Sequence, residues 1–477
     1  MAQVGARLLA GVKMLVKDSS KSVLEYMLIG VSGILFLFAV TVRAEEAPSY
    51  VDPQIRAALN EISARQIQSD IEKLVSFQTR STISAQDPSS ISAGRGVGAA
   101  REWIKSEFER YSRDCGGCLE VKSDSFTQPV SERVPSPVTI TNVYAVLKGT
   151  HPEDAKRIVL VTGHYDSRNS DTADTTGVAP GANDDGSGTA VSLECARVLS
   201  KLKFPGTIIF LTVAGEEQGL DGSKHFAEFA KSQGWSVEAV LNNDIVGGDR
   251  SPEQDAKVVR VFSESIPDGA SAAQLRSIGA LGGENDSPSR GLARYITQTA
   301  HAYQTQVAPL PEFRRDRYLR GGDHISFNEQ GFAAVRFTEF RENYNHQHQN
   351  VRTENGIEYG DLPKFVNFDY VANVARVNAV TLAALASAPA PPLSVRLQTK
   401  NLENDSTLTW EPPSDGRASA YEVLWRATTA PDWEHSQHIG NVQRATVRVS
   451  KDNVIFAVQA VDGAGHKSLP VVPSPER

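Results

Sequence analysis

The chain has 477 residues, of which 40% are hydrophobic and 22% are charged, so its composition is that of a folded protein and not of a low-complexity or collagen-like chain. At about 100 to 200 residues per domain, this length predicts more than one domain. The 49 Lys and Arg against 57 Asp and Glu give a formal charge of -8, which argues against a nucleic-acid binder, because phosphate contacts need a basic surface. Three cysteines are too few for a disulfide framework.

Residues 1–44 contain an apolar run and are predicted to direct export. Met27–Val42 has sixteen residues without a charge, which is closer to a signal-peptide core than to the about 20 residues of a bilayer span. Val42 and Ala44 are small residues at the two cleavage positions, so we expect cleavage after Ala44 and a periplasmic or secreted protein. The alternative is a protein anchored to the membrane by residues 27–42.

Strand and helix patterns alternate from about residue 138 to 386 and predict an α/β domain over residues 45–387. Ile158–Thr162 and Thr207–Val213 are apolar on both faces, as strands of a buried parallel sheet are. Between them, residues 187–202 have apolar side chains near helical spacing, which predicts a β-α-β unit. We therefore expect a mixed, largely parallel sheet flanked by helices. Further candidates are a strand at 237–245 and helices at 223–232, 290–303 and 368–386.

The α/β pattern ends at residues 388–392, a Pro-rich stretch typical of a linker. Residues 393–477 then show only short alternating runs separated by turn residues, which predicts an all-β sandwich. Segments at 406–413, 421–426 and 455–468 resemble a fibronectin type III module. We expect Trp410 to lie in the core of this domain and a chain ending near Ser387 to remain active. The domain is assigned no chemistry, and a cell-surface or protein partner for it is left open.

Charged and imidazole side chains follow the predicted strands, where open α/β sheets place their sites. The motifs are Gly163-His164-Tyr165-Asp166-Ser167, Gly181–Gly188 (GANDDGSG), Ala214-Gly215-Glu216-Glu217, Asn242-Asn243-Asp244 and Gly321-Gly322-Asp323-His324. So many carboxylates at one edge of a sheet need compensating positive charge. Imidazole and carboxylate ligands without thiolates favour hydrolytic zinc, with manganese or cobalt as alternatives. The sequence therefore predicts one metal, or two metals sharing a carboxylate, that activate a water molecule.

The adjacent residues Glu216 and Glu217 are predicted to have different roles. Neighbouring residues in a loop after a strand point in different directions. One carboxylate would then bind metal while the other acts as a general base.

Taken jointly, GHYDS, GANDDGSG, AGEEQGLDGS, NND and GDH resemble the motifs of the M28 family of co-catalytic zinc peptidases, over about residues 140 to 386. This family contains aminopeptidases and glutamate carboxypeptidases and is related to glutaminyl cyclases. The resemblance implies a metallo-exopeptidase with two zinc ions per chain and a cis peptide bond after the bridging aspartate, here Asp184. The roles it implies are His164 and Asp244 on one zinc, Glu217 and His324 on the other, Asp184 as the bridge, Glu216 as general base and acid, and Asp166 orienting His164.

The resemblance implies an aminopeptidase, which hydrolyses N-terminal residues from peptides with a free N-terminus, and residues 1–44 predict that it is exported. A metal-bridging hydroxide would attack the peptide carbonyl, with Glu216 as the base. The alternatives are a carboxypeptidase or glutaminyl cyclase of the same fold, or a non-catalytic binding ectodomain. A carboxypeptidase needs basic residues for the substrate's carboxylate. The arginines available for this are Arg314, Arg315, Arg317 and Arg320.

Two smaller groups of residues are also candidates. Arg320 and His346 are candidates for substrate contact, with a surface ion pair as the alternative for Arg320. We expect His346 and His348 to be loop residues near the mouth of the site and not metal ligands. Cys115 and Cys118 form a C-x-x-C pair, for which a small structural disulfide in an oxidising compartment is favoured over a redox motif or half a zinc site.

Overall fold

A computed structural model describes residues 50–476 of the chain. The predicted signal peptide at 1–44, with its apolar run at 27–42, lies outside the described residues. Within residues 50–476, no helix combines the length and the apolar character needed to cross a membrane.

The region up to residue 387 contains eleven of the helices and ten of the strands that the structure describes. The helices are α1 Pro53–Asn60, α2 Ala64–Ser76, α3 Pro88–Ser92, α4 Gly96–Asp114, α5 Gly186–Leu199, α6 Glu216–Gly219, α7 Asp221–Ser232, α8 Ala272–Leu281, α9 Pro288–Tyr303, α10 His324–Glu329 and α11 Phe368–Ser387. The strands are β1 Leu119–Gln128, β2 Val138–Leu147, β3 Arg157–His164, β4 Thr207–Val213, β5 Ser236–Asn243, β6 Val258–Ser263, β7 Ala308–Glu312, β8 Ala334–Glu339, β9 Arg352–Glu354 and β10 Ile357–Tyr359.

Eight of these strands form one sheet in the order β1-β2-β4-β3-β5-β8-β6-β7. The central strands β4, β3, β5 and β8 are parallel to one another. Antiparallel pairings join β1 to β2, β2 to β4 and β6 to β8. The predicted fold class, a mixed and largely parallel sheet flanked by helices, is confirmed.

β3 and β4, in the middle of the sheet, are apolar along most of their length because helices cover both faces of the sheet. Along β3, Val159 and Val161 join the larger core, to which α2, α5 and α11 contribute. The intervening Ile158 and Leu160 face the opposite side, where Phe226 of α7 closes a second core. Alternate side chains therefore bury into different layers, and this fixes the register of the strand.

Residues 393–476, called the β domain below, form two further β sheets. Its strands are β11 Leu393–Gln398, β12 Ser406–Glu411, β13 Ala420–Ala427, β14 His435–Gly440, β15 Arg444–Val447, β16 Val454–Val461 and β17 Ser474–Glu476. They build a four-stranded sheet, β15-β12-β11-β17, and a three-stranded sheet, β14-β13-β16. Trp410 of the first sheet and Tyr421 and Phe456 of the second share one buried core. The fibronectin type III assignment stays a prediction.

Candidate metal centre

Three functional side chains lie together because parallel strands end at the same edge of the sheet. Strand β3 ends at His164, β4 leads into Glu216 and β5 leads into Asp244. Ligand atoms of His164, Glu216 and Asp244 all lie within 4.8 Å of one another. His164 and Asp244 are buried, whereas Glu216 is half-buried.

A second group lies beside the first and consists of Asp184, Glu217 and His348, again with ligand atoms within 4.8 Å of one another. His348 Nε2 is 2.8 Å from Asp184 Oδ2 and 3.0 Å from Glu217 Oε1. These two groups are the places where the described chain offers donors of the zinc type.

Asp184 connects the two groups. Its Oδ1 is 3.2 Å from His164 Nε2, while its Oδ2 faces His348. The backbone N–H of Asp184 donates to Asp361 Oδ2 at 2.7 Å, and Gln347 donates to Asp184 Oδ2 at 3.0 Å. The peptide bond from Asp184 to the next residue is cis, as the resemblance implied. The carboxylate is thus held with one oxygen toward each group.

His324 is not part of either group, which corrects the predicted second ligand. Its Nε2 is 2.9 Å from the carbonyl oxygen of Arg315 and 3.7 Å from Asp316. Burial lowers the pKa of His324 to about 4, so the neutral ring donates this hydrogen bond. The charges of His164 and Asp244 in the first group act instead on the pKa of the preceding residue, Asp323.

His348 takes the place that His324 was predicted to fill, although the sequence indicated a loop residue without a metal role. The segment that carries it follows β8, and its backbone has a left-handed φ of 55° at His348. Such a turn has no periodic signature, so the direction of this ring could not be read from the sequence. The sequence feature that could have identified His348 is its position after β8, because side chains that follow parallel strands gather at the same edge of the sheet.

Asp166 holds the turn after β4 as well as the ring of His164. Its Oδ1 is 3.3 Å from His164 Nδ1. Its Oδ2 accepts hydrogen bonds from the Thr82 hydroxyl at 2.9 Å and from the backbone N–H of Glu217 at 3.2 Å. Thr82 in turn accepts from the backbone N–H of Gly215 at 2.9 Å. The ring Nδ1 of His164 donates its hydrogen bond to the backbone carbonyl oxygen of Asp166 at 3.2 Å. Asp166 therefore fixes the spacing between His164 and the two adjacent glutamates through this carbonyl oxygen and through its carboxylate.

Burial and crowding perturb most of the ionisable groups. Loss of solvent raises the pKa of Glu216 well above its usual value, and the charges of Asp244 and Glu217 add to this, against the opposing effect of His164. Burial also raises the pKa of Asp323 to about 7. Burial lowers the pKa of His348, but Glu217 and Asp184 outweigh it and raise the value to about 10.

These residues fit divalent metal ions. Within the described chain, His164 Nε2 is buried and has no hydrogen-bond partner, and neither do the two carboxylate oxygens of Asp323. Arg168 pairs with Glu217 Oε2 at 2.8 Å and Arg336 with Asp244 Oδ1 at 2.8 Å, so two guanidiniums balance only part of the negative charge. An uncompensated cluster of buried carboxylates is costly, and cations between the two imidazoles would relieve it.

The residues predicted to contact substrate have partners inside the protein. Arg320 Nη1 lies 2.8 Å from Glu342 Oε2. His346 pairs with Asp249 through Nδ1 and stacks on Phe365 at 3.6 Å between ring centroids. Both therefore have structural contacts.

The C-x-x-C pair lies away from the metal centre. Cys115 and Cys118 are joined by a disulfide, which follows the end of α4 and precedes β1.

Known proteins resemble this chain in sequence and in fold. Residues 142–366 match the family described as Peptidase family M28. A "Probable zinc metalloprotease" of Pyrenophora teres f. teres is 45% identical over 439 residues, which cover 91% of this chain and 89% of that protein. A "Probable zinc metalloprotease" of Pyricularia oryzae is 44% identical over 434 residues, with 89% and 85% covered.

Among solved structures, the LapA aminopeptidase of Legionella pneumophila aligns with a TM-score of 0.49 and 21% identity, over 72% of this chain and 78% of that one. On the similarity to the fungal relatives and the matched family, this chain belongs to peptidase family M28. The resemblance drawn from the sequence motifs is confirmed.

Proposed function

We propose that this protein is an exported aminopeptidase that holds two zinc ions and removes N-terminal residues from peptides. The observation that carries the proposal is the position of Asp184, whose two oxygens face two different groups of ligand-type side chains. Such an arrangement suits two metal ions sharing one carboxylate. The fungal relatives that are named zinc metalloproteases support the choice of metal.

Each group contains one imidazole and at least one further carboxylate, without a thiolate, which suits zinc. His164 and Asp244 would hold one ion, Glu217 and His348 the other, and Asp184 both. When bound, the ions polarise a peptide carbonyl and lower the pKa of a water molecule.

Glu216 is the carboxylate of the two groups that is not assigned to a metal, and it is the more exposed of the two adjacent glutamates. It is half-buried, whereas Glu217 is 3% exposed. A carboxylate oxygen of Glu216 would take a proton from the attacking water and return it to the nitrogen of the leaving amine. Asp166 keeps the adjacent Glu217 in place by accepting its backbone N–H, so the base and the ligand keep their different directions.

The charge distribution favours recognition of the amino end of a peptide. Asp323, whose two buried carboxylate oxygens have no hydrogen-bond partner in the described chain, is not assigned to a metal and would attract an α-ammonium. Three of the arginines considered for a C-terminal carboxylate are already paired: Arg315 with Asp268, and Arg317 and Arg320 with Glu342. The fourth, Arg314, donates to the Tyr318 hydroxyl at 3.0 Å, so a carboxypeptidase would have to rely on this guanidinium.

A substrate panel tests the proposal. Purified full-length protein should contain close to two zinc ions and should hydrolyse an unblocked aminoacyl chromogenic amide but not its N-acetyl form. Hydrolysis of N-blocked peptides alone would contradict it in favour of a carboxypeptidase. Ammonia release from a peptide with N-terminal glutamine, without hydrolysis, would favour a glutaminyl cyclase.

The variant Glu216→Gln tests the role of the base. It should keep both zinc ions and lose activity by a factor of about 10² to 10⁴. Zinc content is measured by elemental analysis and turnover with the unblocked amide. Loss of a zinc ion in this variant would instead make Glu216 a ligand, as its distance to His164 and Asp244 permits.

The export part of the proposal rests on the composition of residues 1–44. N-terminal sequencing of protein recovered outside the cytoplasm should begin at Glu45. Recovery of full-length chain in the membrane fraction would favour the anchor.

A further inference from the structure

The β domain meets α9 through buried arginines. Arg294 of α9 and Arg426 of β13 are each 1% exposed. Arg294 Nε donates to the carbonyl oxygen of Pro431, and Arg426 pairs with Asp286. Both guanidiniums also lie over the ring of Trp433, at 6.0 Å and 5.5 Å from its centroid. Because a buried guanidinium is costly without partners, the β domain completes these contacts and does not merely lie beside them.

The same arginine reaches the segment that leads to the metal centre. The guanidinium of Arg294 lies 5.4 Å from the centroid of the Phe313 ring, and that of Arg290, one turn earlier on α9, lies 4.5 Å from it. Phe313 is the first residue after β7 and opens residues 313–323, which connect β7 to α10. The contacts of Trp433 with Arg294 thus continue into the start of this segment.

The middle of the segment contacts a metal-ligand candidate through one buried arginine. Arg336 of β8 is fully buried, with Nη1 at 3.3 Å from Asp316 Oδ2 and Nη2 at 2.8 Å from Asp244 Oδ1. Arg336 also donates to the carbonyl oxygen of Gly321 at 2.6 Å. The positive charge of Arg336 is therefore shared between Asp316 in the segment and Asp244 in the first group.

We propose that the C-terminal β domain is a positioning part of the metal centre: Trp433 holds Arg294 and residues 313–323 in place, and Asp316 and Arg336 transmit this to Asp244. If the segment moves, Asp316 leaves Arg336, and the whole charge of Arg336 then acts on Asp244 and opposes a cation there. The inference rests on the metal-binding role of Asp244 in the proposed function.

The test uses Trp433→Leu in the full-length chain, which removes the aromatic face and keeps a bulky apolar side chain. Zinc affinity is measured by competition with a chromophoric chelator. One of the two zinc ions should bind about tenfold more weakly, while the other stays within about twofold. Trp433→Phe, which restores an aromatic face, should return to within about twofold of the wild type. The matched control is Trp425→Leu, because Trp425 lies in the same domain and stacks on His435 instead.

A double-mutant cycle tests whether Trp433 and Asp316 affect zinc binding through the same contacts or through independent destabilisation of the protein. Asp316→Asn should also weaken one zinc ion, and combining it with Trp433→Leu should add less than about twofold beyond the stronger single effect. If the wild type binds two zinc ions, two outcomes would overturn the inference and leave the proposed function standing. One is that the effects of Asp316→Asn and Trp433→Leu on zinc affinity multiply fully. The other is that Trp433→Leu and Trp425→Leu have the same zinc affinity.

Hydrogen exchange on the metal-free protein gives a readout that does not depend on zinc. Residues 313–323 should exchange faster in Trp433→Leu than in the wild type and in Trp425→Leu. Unchanged exchange in this segment would overturn the inference. A wild type that binds no zinc at all would instead refute the proposed function.

Discussion

Asp184 is the residue on which the geometry of the metal centre depends most. It is 5% exposed and lies between His164 and His348, which are far apart in sequence. Asp361 accepts the backbone N–H groups of Asn183 and Asp184 at 2.8 Å and 2.7 Å, so a buried carboxylate distant in sequence fixes this turn. A short acidic side chain with both oxygens directed by its surroundings can serve two cations at once.

The two histidines that compete for the second metal give the sharpest residue-scale prediction. His348→Ala should bind about one zinc ion fewer than the wild type and lose most of its activity, because it removes a ligand-type nitrogen facing Asp184 and Glu217. Elemental analysis after dialysis measures the zinc content.

The matched control is His324→Gln, whose side-chain amide can still donate to the carbonyl oxygen of Arg315. This variant should keep both zinc ions. Zinc loss in His324→Gln with full retention in His348→Ala would restore the ligand set that the sequence indicated.

Asp70 predicts a pH dependence of stability that is separate from the metal centre. It is 2% exposed in α2, and burial raises the pKa of its carboxyl to about 8, although Gln66 donates to it at 2.8 Å. The folded state then keeps a proton that the unfolded state, with a pKa of about 4, releases. This contribution to the free energy of unfolding is complete below about pH 4 and is lost as the pH rises to about 8.

The variant Asp70→Asn cannot titrate, so its stability relative to the wild type should rise between pH 5 and pH 8, by about 3 to 4 kcal/mol. Urea unfolding at both pH values measures this. Asp452→Asn, at an exposed position, is the control and should track the wild type. A difference between Asp70→Asn and the wild type that is the same at both pH values would contradict the assignment.

At the scale of elements, the site depends on close packing of β3 against α5. A Cβ atom added to Gly163 would lie 2.4 Å from the carbonyl carbon of Gly188, and one added to Gly188 would lie 2.1 Å from the carbonyl oxygen of Asn243. The glycines of the GHYDS and GANDDGSG motifs therefore let strand and helix backbones touch. Asp184, which lies just before α5, is thereby placed close to His164 at the end of β3.

The substitution Gly163→Ala should lower the free energy of unfolding by about 1 to 3 kcal/mol, because backbone atoms would have to move apart. Denaturant unfolding measures this, and activity should fall with it. Gly291→Ala is the matched control, since an added Cβ on α9 meets no atom within 4 Å in the described structure. It should be neutral or stabilising by up to about 1 kcal/mol. Equal stability of the two variants would show that the backbones can separate freely.

The sequence patterns identified only some of the elements: β3, β4 and β5 of the central sheet were predicted, whereas β8, which is buried throughout, and the exposed β14 were not. The strands predicted at 158–162 and 207–213 match β3 and β4, because long β-branched runs have few alternatives to a buried sheet. Strand β14, His435–Gly440, was not predicted, since its residues are polar and largely exposed. It exists through pairing with β13, which is a non-local contact.

At the scale of the whole molecule, the β domain and the α/β domain share a charged interface. Arg417 of the β domain pairs with the buried Asp154 at 2.9 Å. The carbonyl oxygen of Ala388, in the Pro-rich stretch, accepts hydrogen bonds from Arg157 and Arg417, each at 2.9 Å. The predicted linker is thus fixed between two domains and is not an independent spacer.

A chain truncated after Ser387 should therefore be unstable, contrary to the expectation from the sequence. Removal of the β domain would take Arg417 away from Asp154 and the Pro431 carbonyl away from Arg294, leaving Asp154 with Arg157 and Arg294 with Asp286. The loss of partners from buried charges is destabilising. Thermal unfolding and size-exclusion chromatography of the truncated and full-length proteins measure this. A monodisperse truncated protein with the thermal midpoint and zinc content of the full chain would contradict the prediction.

The sequence by itself determined the α/β class, the family and most of the carboxylates of the centre, because buried strands, close-packing glycines and acidic residues at strand ends are local patterns. The tertiary structure decided that His348 and not His324 faces Asp184, since this depends on how the segment after β8 folds back over the sheet edge. It also decided that Arg317 and Arg320 are bound to Glu342. The partners of a charged side chain are set by contacts between distant segments, and no local pattern encodes them.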